Sequence, residues 1–117
     1  MKLINESKIE IKKSKFIGLA YEVETVEEVK SIIASVQEKH KKARHTPYAF
    51  ILSNTAGKSD DKEPTNTAGL PIYNLLEMRG LKNILVIVVR YFGGTKLGAG
   101  NLLRAYLEAA KEAIKDL

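Results

Sequence analysis

One stretch limits the fold more than any other. From Ile84 to Val89 the chain is an unbroken run of apolar, mostly β-branched residues, closed by Arg90 and Tyr91. A short run without polar alternation fits a strand buried on both faces, since a half-exposed strand alternates apolar and polar residues. Arg90 and Tyr91 bring that strand to a polar edge, and Gly93, Gly94, Gly98 and Gly100 crowd the segment after it. Glycines let the backbone take left-handed angles and approach a ligand with no Cβ in the way. Leu102, Leu103, Tyr106, Ala109, Ala110 and Ala113 then recur at helical spacing. Strand, glycine turn and helix start together can form an anion site, because free N–H groups and the positive end of the helix dipole face one point.

The remaining elements can be read in chain order. Ser7 to Val23 reads as extended structure broken near Lys13, Ser14 and Lys15, with apolar residues mainly two apart. Thr25 stands three residues before Glu28, the spacing of a capping box, and Val26, Val29, Ile32, Ile33 and Val36 form the stripe of a helix from Val26 to about Lys41. Pro47 opens a third strand, Tyr48 to Leu52. Ser53 to Asn66, with Gly57 and Pro64, is so rich in turn formers that it reads as one long loop. A second helix starts near Thr67 or Ala68, with Pro71 in its first turn, Thr67 as its cap and Gly80 as its stop. The order predicts an α+β fold, a two-layer α/β sandwich with helices on one face of a mixed sheet, built as one domain over residues 1–117.

Bulk properties narrow the functional classes. At 117 residues the chain has room for one core, and 28% charged residues argue against a membrane protein. No apolar run approaches the roughly 20 residues that span a bilayer, and the first residues lack the apolar stretch of a secretory leader, so the expected location is cytoplasmic. The absence of cysteine removes disulfides, thiol nucleophiles and thiolate metal sites. A net charge of +5 is compatible with a polyanionic partner such as RNA. The acid-free cluster Lys39, His40, Lys41, Lys42, Arg44 and His45 is the more telling feature.

Candidate site residues fall in three polar stretches: Arg44 to Tyr48, Ser59 to Thr67, and Arg90 to Arg104. Asp60, Asp61 and Glu63 suit a hard cation such as Mg²⁺, or form a solvated acidic turn. His45, with Asp61 and Glu63, is a candidate for acid–base catalysis, or a hydrogen-bonded structural residue. Arg44, His45, Arg90, Lys96 and Arg104 are the candidates for anion or nucleic-acid binding. Arg90 ends a buried strand, where a charge needs a partner, and Asp60, Asp61 and Glu63 can supply one. The glycine spacing matches neither G-x-G-x-x-G nor G-x-x-x-x-G-K-[ST], which disfavours a nucleotide-hydrolysing loop. No cofactor is expected beyond possible Mg²⁺. Binding is favoured over the alternative, a metal-assisted phosphoryl or nucleotide hydrolase using Asp60, Asp61 and Glu63.

At these residues the sequence resembles the IMPACT/YigZ family. The matching pieces are Ser14 to Gly18, His45 with Tyr48 and Ala49, Asp60, Asp61, Glu63 and Pro64 together with Thr67, Ala68, Gly69 and Pro71, and the stretch from Val88 to Tyr106. The resemblance implies the family's N-terminal domain, whose fold looks like the second domain of a small-subunit ribosomal protein and is shared with RNase PH. It implies, as in eukaryotic members, a role in regulating translation by competing for the activator of a starvation-responsive initiation-factor kinase, and, as inferred from the fold of bacterial members, nucleic-acid binding. RNA and ribosome-associated proteins are the implied partners. Bacterial members usually carry a further C-terminal domain; the chain stops before it, as a natural short form or a shortened one. Lys62, Asn66 and Asn101 stand where the family pattern usually has Gly, and Pro47 where it often has Cys. Asn tolerates left-handed angles, so Asn66 and Asn101 can preserve turns, whereas Lys62 brings positive charge into the acidic loop.

Overall fold

The computed structural model describes residues 2–117. Strands β1 (Lys2–Ile11) and β2 (Ser14–Glu22) form a hairpin whose two-residue loop, Lys12 and Lys13, has φ of 48° and 70°. Paired left-handed residues suit the twist of a tight hairpin, a place usually taken by Asn-Gly. Helix α1 (Val26–Lys39) begins at the capping box read from the sequence: Glu28 N donates to Thr25 Oγ1 at 3.1 Å and Thr25 N donates to Glu28 Oε1 at 3.2 Å. Strands β3 (Tyr48–Ile51) and β4 (Ala56–Ser59), helix α2 (Gly69–Met78), strand β5 (Ile84–Tyr91) and helix α3 (Ala99–Ile114) complete the order.

The α+β class stands, but two details of the expected architecture do not. The sheet has the order β1-β2-β5-β3-β4 and every pairing in it is antiparallel, so it is not mixed. The helices lie on both faces rather than one. Ile84, Val86 and Val88 point into a core with α2 and α3, while Leu85, Ile87 and Val89 point into a second core with Val29, Ile32 and Val36 of α1. The cause is the period of two along a strand: a strand apolar at every position presents apolar groups to both sides, and each side must be covered. β2 and β3, each with the residue that follows it, obey the same rule, with Phe16, Ala20, Ala49 and Ile51 on the α2/α3 side and Leu19, Val23 and Leu52 on the α1 side.

The stretch read as one long loop contains β4. Its sequence, Ala-Gly-Lys-Ser, has no β-branched residue, and it exists as a strand because β3 supplies the ladder, Tyr48 opposite Ser59 through Ile51 opposite Ala56. Gly57, a turn former by composition, lies under the Phe50 ring, where an added Cβ would come within 2.6 Å of a ring carbon. Thr67 does not cap α2, since its hydroxyl donates to Pro64 O at 2.7 Å. Asp60 takes that role from a distance: its Oδ1 accepts from Gly69 N at 2.8 Å and Ala68 N at 3.2 Å, and its Oδ2 from Asn66 N at 2.9 Å.

Candidate functional site

β5 delivers the first side chain of the site. Arg90 continues the Ile84, Val86, Val88 side of the strand and so enters the core beneath α3, where it is 6% exposed. A guanidinium there demands a counter-charge, and Glu63 provides it: Arg90 Nη1 donates to Glu63 Oε2 at 2.7 Å. The Tyr106 hydroxyl, reaching down from α3, donates to the same carboxylate oxygen. Burial first, and then the bond to Glu63, push the Tyr106 hydroxyl far above the usual tyrosine range. Tyr106 is held in place by an edge-on contact with Phe16, ring centres 5.2 Å apart.

The segment before β3 runs beside this centre. Arg44 N donates to Arg90 O at 2.8 Å and Arg90 N donates to His45 O at 2.9 Å, which fixes both residues against the end of β5. His45 Nδ1 lies 2.7 Å from Asp61 O, and a carbonyl can only accept, so the proton sits on Nδ1. Nε2 then faces Glu63 Oε1 at 3.5 Å, and a second proton on the ring would complete an ion pair. Asp61 closes the loop: its Oδ2 accepts from Thr46 N at 2.7 Å and from the Thr46 hydroxyl at 3.2 Å.

Above the centre is an open cleft of about 270 Å³. Pro64, Phe92, Leu97 and Leu102 give it an apolar floor, Arg44, His45 and Lys96 a basic rim, and the buried Arg90–Glu63 pair closes its back. Arg44 lies over the Phe92 ring at 4.6 Å, and the Arg90 guanidinium sits 5.9 Å from the same ring and 5.8 Å from that of Phe16. Arg90 Nε is buried without a hydrogen-bond partner among the described residues. A second hollow of about 150 Å³ adjoins the first, sharing Arg44 and His45 and adding Gln37, His40 and Lys41. His40 Nδ1 meets the Tyr91 hydroxyl at 2.5 Å, and burial, with Lys39 nearby, lowers its pKa.

The structure therefore brings together Arg44, His45, Arg90 and Lys96 but not Arg104. Arg104 lies one turn along α3, exposed, and donates to Asn101 Oδ1 at 2.9 Å. The glycines also divide. Gly93 packs so closely that an added Cβ would stand 2.1 Å from the Lys13 carbonyl carbon, and Gly94 takes φ of 91°. Gly98 and Gly100 begin α3 with no such demand. The acidic triplet separates by direction: Asp60 turns to α2, Asp61 to Thr46 and Glu63 to Arg90, and among the described residues no cluster of His, Asp or Glu is arranged to hold a metal ion. Two site residues were not among the candidates, Phe92 and Tyr106. A tyrosine in a stripe of alanines is the trace Tyr106 leaves in the sequence, because a buried hydroxyl needs a partner.

An α+β protein with a basic, apolar-floored cleft over a buried arginine–glutamate–tyrosine centre is the class these features define. The chain belongs to the IMPACT family: the family model of the Impact N-terminal domain matches residues 12–114. It is 37% identical over 120 residues to the IMPACT family member YvyE of Bacillus subtilis, a match covering 100% of this chain and 55% of that protein. It is 40% identical over 113 residues to the family member YigZ of Escherichia coli, covering 92% and 55%. The chain thus spans a little over half the length of these relatives. A solved crystal structure, described as that of a hypothetical protein, matches with a TM-score of 0.92 at 38% identity over 99% of this chain and 61% of that one. The two-domain translational regulator Yih1 shares the fold at a TM-score of 0.57 and 21% identity, over 97% of this chain and 45% of that one. Among the described residues no helix is long and apolar enough to cross a membrane.

Proposed function

We propose that the chain is an RNA-binding module directed to ribosome-associated surfaces and linked to the regulation of translation. The observation that carries this reading is the pair of adjoining hollows that share Arg44 and His45, which extend one basic path from Lys41 past Arg44 to Lys96. A path of that kind suits a chain of phosphates better than one compact anion, because successive cations can meet successive phosphates. Yih1, which shares this fold, is a translational regulator, and membership of the IMPACT family supports a role in the same process. Metal-assisted hydrolysis by Asp60, Asp61 and Glu63 has less support, because each of those carboxylates already accepts hydrogen bonds inside the fold.

The test is salt dependence. With Arg44 and Lys96 each meeting one phosphate of a single strand, log K should fall against log salt with a slope of about −1.4. The double variant Arg44→Gln, Lys96→Gln should remove that share of the slope, about 1.4. Binding that does not weaken between about 50 and 200 mM salt sinks the reading.

A further inference from the structure

We propose that the cleft beside β5 holds one unpaired nucleotide of a single strand, its base stacked on the face of the Arg44 guanidinium, whose N–H edge meets one phosphate while Lys96 meets the next. This rests on the RNA-binding reading and makes it specific. Three observations carry it. The first is the Arg44–Phe92 contact: both residues are exposed, Phe92 at 39%, yet the guanidinium carbon lies over the ring, 4.6 Å from its centre, rather than free in solvent. An exposed aromatic that holds an arginine plane in place is a stacking platform, and unpaired bases stack on aromatic rings and on guanidinium planes alike. The second is the chemistry of the floor. A bare anion wants donors on every side, whereas Pro64, Leu97 and Leu102 offer it none. An apolar floor inside a basic rim suits a ligand with a flat, weakly polar body and an anionic end, which describes a nucleotide. The third is size: about 270 Å³ is just under the roughly 300 Å³ at which ligand pockets begin, a scale that suits one residue of a strand better than a base pair. Arg90, at the back of the cleft, is neutralised by Glu63 but keeps its Nε unpartnered among the described residues, a donor left over for a ligand.

The test uses a labelled single-stranded RNA oligomer, its duplex, an abasic strand of the same length, and wild-type or variant full chain. The intact single strand should bind about tenfold more tightly than either the abasic strand or the duplex. A free nucleoside 5′-monophosphate should compete for the site and inorganic phosphate should not; competition by the nucleotide alone, with no gain from the rest of the strand, would mark a small-molecule site and overturn the strand assignment. Arg44→Lys keeps the charge and loses the plane, so affinity should fall about fivefold or more while the salt slope stays. Phe92→Leu should match that loss, and Phe92→Trp should restore binding; both positions are exposed, and a thermal melt checks that each variant folds. Wild-type affinity in Arg44→Lys and Phe92→Leu, with weakened binding in Arg44→Gln and Lys96→Gln, overturns the nucleotide pocket and leaves the polyanion reading standing. No loss in any of these variants overturns both.

Discussion

Glu63 shows how much can depend on one side chain. Its carboxylate is 3% exposed and accepts from Arg90 and Tyr106 while facing His45. Removing it strands a buried guanidinium and a buried hydroxyl, and breaking a buried pair from one side costs about 3–5 kcal/mol. Glu63→Ala should therefore lower unfolding free energy by about that amount in urea melts, with Tyr106→Phe costing less, about 1.5–3 kcal/mol for one bond to a charged group. The same centre sets an alkaline limit. Tyr106 has its pKa raised in the fold, so the unfolded chain releases the proton first as pH climbs through about 10. Stability is full below that pH and falls above it. Tyr106→Phe should flatten most of the decline in a melting series, leaving the smaller share of Tyr21, raised by burial and then by Glu6. That Arg90 pairs with Asp60, Asp61 or Glu63 was legible in the sequence, because a charge ending a buried strand needs an acid; which of the three it takes was not. Tyr106 was not, because its stripe on α3 has the spacing of ordinary core filling.

At the scale of elements, the glycine turn is two different things. Gly93 is a packing requirement, since its Cα rests against the tip of the β1–β2 hairpin and its N–H donates to Ser14 Oγ at 3.2 Å. Gly100 is a helical position with only the Arg104 guanidinium near, 3.7 Å from an added Cβ. Gly93→Ala should destabilise by about 1–3 kcal/mol through backbone displacement, and Gly100→Ala should stabilise by about 0.5–1 kcal/mol through helix propensity. Paired denaturation curves read both signs, and a loss at Gly100 would contradict the assignment. Four glycines close together look alike as letters; only the neighbour across space separates them. The same limit hid β4, whose strand character belongs to its partner β3, and the capping of α2, which Asp60 performs from eight residues before Ala68 and nine before Gly69 while the adjacent Thr67 turns away.

For the whole molecule, the apolar run Ile84 to Val89 carries more than a sandwich with helices on one face. A strand with no polar face already calls for cover on both sides, and the three helices supply it, α1 on one face and α2 with α3 on the other. What the run could not disclose was its neighbours. β5 pairs with β2 on one side and β3 on the other, neither of them its neighbour in the chain.

That order has a consequence for how the molecule comes into being. Among the described residues the two hairpins, β1–β2 and β3–β4, share no ladder; β5 joins them, and it follows the other four strands of the sheet in chain order. The first strand is further tied to the last helix, Asn5 Nδ2 to Ala113 O at 3.1 Å and Ser7 Oγ to Ala109 O at 2.8 Å. A nascent chain ending before β5 thus exposes two ribbons that are marginal alone, and it should remain open to proteolysis until residues 84–117 are supplied. Limited digestion of a fragment ending at residue 83, with and without a peptide of the remainder, would show resistance only when both are present. Vectorial synthesis leaves this fold to close in one late step, with its hairpins waiting unprotected for the strand that belongs between them.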